Sequence, residues 1–357
     1  MSWLATRSAD MTATTQAPAK TTFAAALNTA LADSMEAEDG VCVFGEDVGT
    51  LGGVFRITDG LTARFGTSRC FDTPLAESGI AGMAVGMALN GMRPVIEMQF
   101  DAFAYPALEQ IFSHIAKYAN RTRGNVRLPL VIRIPYGGGV GGVEHHCDSS
   151  EAYYAHTAGL KVFTPATVSD AYLMLREAID SPDPVVFFEP KKLYWSKDEV
   201  SLEDLRAQYD HAQYDGEPRT VGAQGRAAVV REGTDVSLIS YGPSVSAALK
   251  AADAAEEDGI SAEVLDLRSI VPFDDDALRA TVEKTGRAVV VAEAQGFVSV
   301  ASEIVARIQE QCFHSLASPV LRVTGFDIPY PAPKLEEPHL PNVDRILDAL
   351  DELQWED

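Results

Sequence analysis

Residues 137 to 147 combine a glycine-rich turn with a polar cluster, and both patterns could do chemistry. Gly137, Gly139 and Gly142 follow an apolar run with the spacing G-x-G-x-x-G, which is typical of a dinucleotide-binding loop. Such a loop needs an apolar helix that begins at its third glycine. Here the chain continues with VEHHCDSSEAYY, which is polar and has no helical period. The context favours a flexible loop beside an active site, with a dinucleotide-binding oxidoreductase as the remote alternative.

The polar cluster consists of Glu144, His145, His146 and Cys147, which together suggest a zinc site. Adjacent histidines point in different directions, and no second ligand pair stands at a zinc-binding spacing, so the pattern argues against zinc. A histidine held out by a glycine loop suits proton transfer instead, because its ordinary pKa lies near working pH.

Carboxylates stand at two further positions where a strand ends or a helix begins. Glu46 and Asp47 follow the apolar run VCVFG, and Glu77 precedes the small-residue stretch GIAGMAVGMAL. On their own, the first two would be turn acids, and Glu77 would be an acid that the helix macrodipole stabilises. The residues alone therefore leave a catalytic and a structural role open for each.

Apolar runs alternating with helical patterns indicate the elements that position these residues. The runs predict buried strands at 95–100, 130–134, 161–163 and 185–189, with helices at 103–119 and 168–180 between them. This alternation predicts an α/β fold with a parallel sheet flanked by helices. A second, smaller α/β unit follows, with its last strand at 319–323.

The domain organisation follows from changes in composition along the chain. The opening residues are rich in Thr, Ala and Ser, and the stretch after Tyr194 is charged and loses its period. The predicted parts are a disordered leader at 1–21, a first domain at 22–195, a linker at 196–225 and a second domain at 226–357. Residues 79–89 are apolar on all sides, so we expect a helix that is buried on every face and contacts another subunit.

The bulk composition excludes several classes of partner. A formal net charge of −23 and a pI near 4.6 disfavour binding to nucleic acid or to anionic lipid. No apolar run reaches the ~18 residues that a bilayer-spanning helix needs. The four cysteines contain no C-x-x-C pair, which indicates a reducing, cytoplasmic environment.

Several stretches, in the same order along the chain, resemble one family. They are FGEDVG (44–49), GGVFRIT (52–58), RCFDTPLAESGIAGMAVGMALNG (69–91), PVIEMQF (94–100), AHTAGLKVFTPAT (155–167), DPVVFFEPKKLY (183–194), EVLDLRSIVPFD (263–274) and GFDIPYP (325–331). They resemble the β subunits of thiamine-diphosphate-dependent 2-oxo acid dehydrogenases, closest to the branched-chain type. The resemblance implies a pyrimidine-binding transketolase-like domain followed by a transketolase C-terminal-type domain.

The resemblance also implies partners and cofactors. The sequence contains no G-D-G motif for pyrophosphate and Mg²⁺, and in the family that half of the site lies on an α subunit. We therefore expect an α₂β₂ heterotetramer that shares thiamine diphosphate between its chains, holds Mg²⁺ mainly on the α subunit and transfers an acyl group to the lipoyl arm of a transacylase core. The implied enzyme is of the 3-methyl-2-oxobutanoate dehydrogenase type, with pyruvate and acetoin dehydrogenases as alternatives.

Site residues carry over from the family position by position. Glu77 matches the glutamate that exchanges a proton with a pyrimidine ring nitrogen, and Leu75 matches a residue that lines the same ring. His146 matches the histidine that serves proton transfer during acyl transfer, whereas His145 has no counterpart. The remaining matches are Glu46 as an acidic relay and Phe103 in place of the family tyrosine that faces the pyrimidine. Gln99 is a candidate from its spacing instead: it lies two residues along the strand from Glu97 and shares its face, so it either reaches the cofactor site or packs in the core.

A structural potassium ion is also implied by the resemblance. The family holds this ion with backbone carbonyl groups, and Ser181 here departs from an acid in relatives. The matching positions in this chain are Leu128, Leu130, Val131, Ala178, Ser181 and Asp183.

Overall fold

The computed structural model of the protein describes residues 20–211 and 226–353, which form two large sheets with helices on their faces. Residues 1–19 of the predicted leader lie outside the described residues. Its last two residues, Lys20 and Thr21, belong to a short strand. Among the described helices, none is both long and apolar enough to cross a membrane.

The strands and helices of the described residues are numbered in chain order. The strands are β1 (Lys20–Thr22), β2 (Val41–Gly45), β3 (Cys70–Asp72), β4 (Arg93–Glu97), β5 (Val131–Tyr136), β6 (Lys161–Phe163), β7 (Val185–Pro190), β8 (Lys197–Glu199), β9 (Ala228–Arg231), β10 (Val236–Ser240), β11 (Ala262–Asp266), β12 (Ser269–Val271), β13 (Ala288–Gln295) and β14 (Leu321–Gly325). The α-helices are α1 (Phe23–Ala37), α2 (Leu61–Phe65), α3 (Glu77–Leu89), α4 (Tyr118–Arg121), α5 (Glu144–Cys147), α6 (Glu151–Ala155), α7 (Val168–Asp180), α8 (Leu202–His211), α9 (Val245–Glu257), α10 (Asp275–Thr285), α11 (Val300–Cys312), α12 (Glu336–His339) and α13 (Val343–Asp351).

The first sheet has the strand order β12-β6-β7-β5-β4-β2-β3. All of its neighbouring pairs are parallel except β12 with β6. Its central strands are buried along their whole length, as in β5 and β7, because helices and the second sheet cover both faces. The predicted parallel α/β sheet is therefore confirmed.

The second sheet has the order β14-β13-β10-β11-β9, in which only β9 is antiparallel to its neighbour. It lies in the C-terminal region, by which we mean residues 226–353. One strand of that region, β12, leaves it and pairs with β6 of the first sheet. The two sheets also share a continuous apolar core, which includes Phe44 and Ile132 from the first sheet and Ile239 and Val290 from the second.

A buried ion-pair cluster stabilises the centre of the first sheet. Arg133 in β5 is fully buried and donates from Nε and Nη2 to the two carboxylate oxygens of Glu189, at 2.7 and 2.9 Å. Its Nη1 donates to Glu97 at 2.6 Å, and the Tyr194 hydroxyl donates to Glu189 at 2.7 Å. Glu97 is the register partner of Arg133 on β4, and Glu189 lies two residues beyond the partner of Arg133 on β7.

Within this chain, the small-residue helix is buried on one face only. Helix α3 begins at Glu77, and its buried residues are Ile80, Ala81, Ala84 and Ala88. Met83 and Leu89 are 40% and 44% exposed, because no described element of this chain covers that side. Contact between this helix and another subunit stays a prediction.

Two other stretches differ from the expected elements. The helical pattern at 103–119 becomes a 3₁₀ segment, Ala102–Ala107, followed by a π-helical segment, Gln110–Ile115. Proline at position 106 removes a backbone donor there and disfavours a regular α-helix. The predicted linker at 196–225 contains β8 and α8 in its described part, and β8 pairs with β1.

Candidate active site

The candidate active-site residues stand where strands of the first sheet end. Glu46 follows β2, Gln99 and Phe100 lie within three residues of the end of β4, and the glycine loop (residues 137–142) follows β5. Because these strands are parallel, their carboxyl ends meet at one edge of the sheet. Strand order therefore brings together residues that are far apart in the sequence.

Glu46 is a buried carboxyl group with an unsatisfied atom. Only 4% of the residue is exposed, and its Oε1 has no hydrogen-bond partner among the described residues. Burial, reinforced by the carboxylates of Glu77 and Asp47, raises the pKa of Glu46 to about 7. Buried polar atoms are normally paired. Glu46 therefore fits a ligand that presents a hydrogen-bond donor and a proton near neutral pH.

Glu77, at the start of α3, lies near this carboxyl group, and Leu75 stands two residues before Glu77. Glu77 is the first residue of the helix and is half-buried, and its charge contributes to the raised pKa of Glu46. Leu75 precedes it in an irregular segment and is 80% exposed. An apolar side chain that is so open beside a carboxylate pair fits the flat face of a heterocyclic ring.

Gln99 does not share a strand face with Glu97, which corrects the sequence interpretation. Strand β4 ends at Glu97, and the chain bends before Gln99. The Gln99 Nε2 atom instead donates to Oδ2 of Asp47 at 2.9 Å. Asp47 has a left-handed backbone with φ 58°, so this bond supports an unusual conformation next to Glu46. Contact between Gln99 and a cofactor stays a prediction.

Phe103 and His146 come together in a cluster of four rings. The His146 ring lies edge-on to Phe100 at 4.3 Å between centroids and 5.4 Å from the ring of Phe103. Phe100 and Phe103 contact each other at 5.4 Å. His145 is exposed, and its ring also stacks on Phe103 at 5.9 Å.

The surroundings of His146 favour its neutral form. Burial is the main cause that lowers the pKa of His146 below its ordinary value, followed by the charges of His145 and Lys191. A neutral imidazole can accept a proton at one ring nitrogen while it donates from the other. The ring is therefore suited to proton transfer near neutral pH.

Lys191 is a charged residue of this site that sequence reasoning missed. It lies just after β7, with 2% of its surface exposed, and its Nζ has no hydrogen-bond partner among the described residues. Nζ lies 6.0 Å from the ring centroid of Phe100. Burial is the main reason that the pKa of Lys191 falls to about 8. The signal was a lysine directly after an apolar run, at the carboxyl end of a parallel strand.

Two buried acids near Lys191 were also missed. Asp101 is fully buried and accepts a hydrogen bond from the Ser150 backbone amide at 2.9 Å, and burial raises its pKa to about 7. Glu151 is 1% exposed and accepts from the Tyr241 hydroxyl at 2.8 Å, and burial raises its pKa to about 7 as well. Glu151 lies in a polar segment, and Asp101 is a single acid between apolar residues, so the residue types alone do not identify either as a buried site residue.

The glycine loop does not present its backbone amides to a ligand in this structure. Gly138 donates to Glu293, and Gly139 and Gly141 donate to Glu336, both from the C-terminal region. The helix that follows, α5, has only 4 residues, so it lacks the N-terminus that a pyrophosphate site requires. This arrangement argues against the dinucleotide-binding alternative.

The described residues contain no group of three or more His, Cys, Asp or Glu side chains that could hold a metal ion. The carbonyl groups assigned to potassium lie just before and at the start of β5, in the last turn of α7, and between α7 and β7. Most of them already accept a hydrogen bond. These bonds run from Leu130 N to Leu128 O, Val185 N to Leu130 O, Ser181 N to Ala178 O, and Ser181 Oγ to Asp183 O. A carbonyl oxygen has a second lone pair, so the set still fits carbonyl ligation. Lys161 lies 3.8 Å from the Asp183 carboxylate and offsets its charge.

Two family models match this chain. The model "Transketolase, pyrimidine binding domain" matches residues 19–196, and "Transketolase, C-terminal domain" matches residues 225–346. A solved structure, "Split gene transketolase, inactive beta4 tetramer", superposes with a TM-score of 0.74 at 22% identity, over 93% of this chain and 97% of that one. These matches confirm the predicted fold class.

Curated relatives resemble the chain over nearly its whole length. The "Pyruvate dehydrogenase E1 component subunit beta" of Leifsonia xyli subsp. xyli is 50% identical over 327 residues, which is 91% of this chain and 92% of that protein. The "3-methyl-2-oxobutanoate dehydrogenase subunit beta" of Mycobacterium tuberculosis is 50% identical over 331 residues, or 92% and 91%. The chain therefore belongs to the β subunits of the thiamine-diphosphate-dependent, transketolase-like 2-oxo acid dehydrogenases.

Proposed function

We propose that this β subunit acts with an α subunit in the oxidative decarboxylation of branched-chain 2-oxo acids and passes the acyl group to a lipoyl-bearing transacylase. The observation that carries this proposal is the Glu46–Glu77 pair. One member of the pair is buried, has an unpartnered oxygen and has a pKa of about 7. A carboxyl group in that state can hold or release a proton at a ring nitrogen near neutral pH.

In this proposal, several site residues together bind the pyrimidine end of the cofactor, each with a different role. When bound, thiamine diphosphate supplies the carbanion chemistry that 2-oxo acid decarboxylation needs. Glu77 exchanges a proton with a pyrimidine ring nitrogen, and Glu46 tunes that exchange because the two charges interact. Leu75 and Phe103 pack against the ring, while Gln99 holds Asp47 beside Glu46.

His146 serves the acyl-transfer step in this proposal. Its ring lies against Phe100 and Phe103 at the same sheet edge as the carboxylate pair, and its lowered pKa keeps it neutral near pH 7. The neutral ring is a base that can take a proton from a group in the site, and the imidazolium so formed can give that proton to the sulfur of a lipoyl group as the acyl group moves.

An α subunit completes the site in this proposal. No acidic cluster for Mg²⁺ occurs among residues 20–211 and 226–353, so we assign Mg²⁺ and the pyrophosphate mainly to the partner chain. The uncovered side of α3, with Met83 at 40% exposure, fits contact with another subunit in an α₂β₂ heterotetramer. Potassium bound by the carbonyl groups before β5 and β7 would stabilise the sheet edge.

The substrate preference rests on three stretches that resemble branched-chain β subunits more than pyruvate-type ones: IEMQF-x-x-F (96–103), FFEPKKLY (187–194) and GFDIPYP (325–331). Pyruvate-type β subunits usually resemble E-N-E-L after β7, whereas this chain has EPKKL, and Lys191 here lies under the ring of Phe100. Relatives named for pyruvate and for 3-methyl-2-oxobutanoate are equally similar, so pyruvate is the second candidate substrate. Burying an isopropyl or isobutyl group instead of a methyl group gains about 1–3 kcal/mol in an apolar pocket.

The test is a panel of 2-oxo acids assayed with the chain assembled on its α subunit. We expect the 2-oxo acids of valine, leucine and isoleucine to exceed pyruvate in kcat/KM by about ten- to a hundredfold. A preference for pyruvate in the same assay would reassign the substrate. The absence of any decarboxylation by the assembled enzyme would overturn the proposed function itself.

A further inference from the structure

The glycine loop forms an anion-binding site that the C-terminal region fills. Glu336 Oε1 accepts hydrogen bonds from the amide of Gly139 at 2.8 Å and of Gly141 at 3.3 Å, and its Oε2 accepts from Gly141 at 3.1 Å. Successive backbone amides in such a turn create a concave positive site that is used for phosphate in other proteins. Here a carboxylate of the same chain takes that place.

A second residue fixes this carboxylate. The Tyr330 hydroxyl donates to Oε1 of Glu336 at 2.6 Å and accepts from the amide of Gly139 at 3.4 Å. Glu293 accepts from the amide of Gly138 on the other side of the loop. Glu293, Tyr330 and Glu336 of the C-terminal region therefore all accept hydrogen bonds from one short loop.

The glycines themselves are required by this contact. Gly139 and Gly141 have φ of 79° and 68°, which side chains rarely adopt. A side chain at Gly138 would collide with the Tyr330 hydroxyl. The glycine pattern that resembles a dinucleotide motif thus permits the close approach of residues 330–336.

The glycine loop is followed closely in the chain by His146. A Cβ atom placed on Gly142 would lie 3.4 Å from Cβ of His146 and 2.7 Å from Sγ of Cys147. Cys147 packs in a small apolar cluster with Tyr330 and Leu340. Residues 330–340 therefore contact the chain on both sides of the segment that carries His146.

From this geometry we propose that Glu336 is a positioning residue for acyl transfer. By holding the glycine loop, it keeps the ring of His146 against Phe100 and Phe103. The inference rests on the proposed role of His146, and Glu336 itself touches neither substrate nor cofactor. The Glu336 carboxylate, in the C-terminal region, thereby affects the rate of acyl transfer at the carboxyl edge of the first sheet.

The test compares Glu336→Gln with Glu337→Gln in the assembled enzyme. Glu337 is the adjacent acid and is exposed, so its substitution is a matched control. Glutamine is uncharged and has only one accepting oxygen, so it cannot replace both carboxylate oxygens that bind the loop amides. Hydrogen exchange of the backbone amides of residues 137–147 should therefore become about 10–100-fold faster. The rate of acyl transfer to a lipoyl domain should fall about 10–100-fold, because a small displacement of a reacting group lowers the rate strongly. Decarboxylation measured with an artificial electron acceptor should stay near the native rate.

The outcomes separate the inference from the function on which it rests. Unchanged exchange in the loop, or faster exchange with normal acyl transfer, would overturn the positioning role. If His146→Ala also retained acyl transfer, the proposed function of His146 would fail as well. Should Glu336→Gln not assemble, Tyr330→Phe removes only the hydroxyl that donates to Glu336, and a smaller change in the same direction is expected.

Discussion

The buried charge cluster at Arg133 offers the sharpest test of how the first sheet is stabilised. Replacing Arg133 with Met keeps most of the side-chain volume but removes three donated hydrogen bonds, two to Glu189 and one to Glu97. Both carboxylates then remain buried, and among the described contacts only the Tyr194 hydroxyl still donates to Glu189. Burial already raises the pKa of Glu97, and Arg133 opposes that rise.

The size of the effect follows from the environment. Removing one partner of a buried ion pair costs about 3–5 kcal/mol, because it leaves uncompensated charge in the interior. Without Arg133, burial of Glu97 raises its pKa unopposed, so this carboxyl group takes up a proton more readily in the folded chain than in the unfolded chain. The loss of stability should therefore be largest at high pH and should shrink as the pH falls.

Urea unfolding of the purified chain, followed by far-ultraviolet circular dichroism, measures this loss. Arg64→Met is the control, since Arg64 pairs with Glu36 at the surface, where both side chains are at least half exposed. Exposed pairs contribute about 0–1 kcal/mol. A loss at Arg133 no larger than the loss at Arg64, or one that grows as the pH falls, would refute the reasoning. Replacing Glu97 and Glu189 with Gln in the Arg133→Met chain should recover part of the stability.

The remaining predictions concern the candidate site. Glu77→Gln should lower the rate of decarboxylation, measured with an artificial electron acceptor, by about 10²–10⁴-fold. His146→Ala should keep more of that activity but lose acyl transfer to the lipoyl group. Equal, mild effects of the two substitutions would contradict both roles. Because burial and nearby carboxylates raise the pKa of Glu46 to about 7, Glu46→Gln should remove an ionisation near that pH from the pH profile of decarboxylation, and an unchanged profile would exclude its titration. The isolated chain should bind thiamine diphosphate weakly, and tight, Mg²⁺-dependent binding in a calorimetric titration would show that no α subunit is needed.

Continuous apolar runs in the sequence predicted the first sheet because strands of a parallel sheet are buried on both faces. The runs at 130–134 and 185–189 became β5 and β7, shifted by only a residue or so. Polar residues directly after such runs lie at the carboxyl edge of the sheet, as Glu46 does after β2, although it was the family resemblance that made Glu46 a site candidate. These signals are local, so they are visible without the fold.

The amino-acid composition of helix α3 did not determine which of its faces is buried within this chain. The small, apolar residues of α3 predicted burial on every face, yet only one face packs within this chain. An apolar helix indicates that it will be covered, but not by which chain. The same limit applies to Lys191 and Asp101, whose burial comes from neighbouring elements and not from their own segments.

The tertiary structure alone decided which distant residues meet. The pairing of β12 with β6 joins the C-terminal region to the first sheet, and the contact of Glu336 with Gly139 spans 197 residues of sequence. The local sequence pattern predicts neither contact, because each depends on complementary charge and shape between segments that meet only in the folded chain. The sequence predicted an active-site loop with glycines and a histidine, and the fold decided that a carboxylate of helix α12, in the C-terminal region, holds that loop.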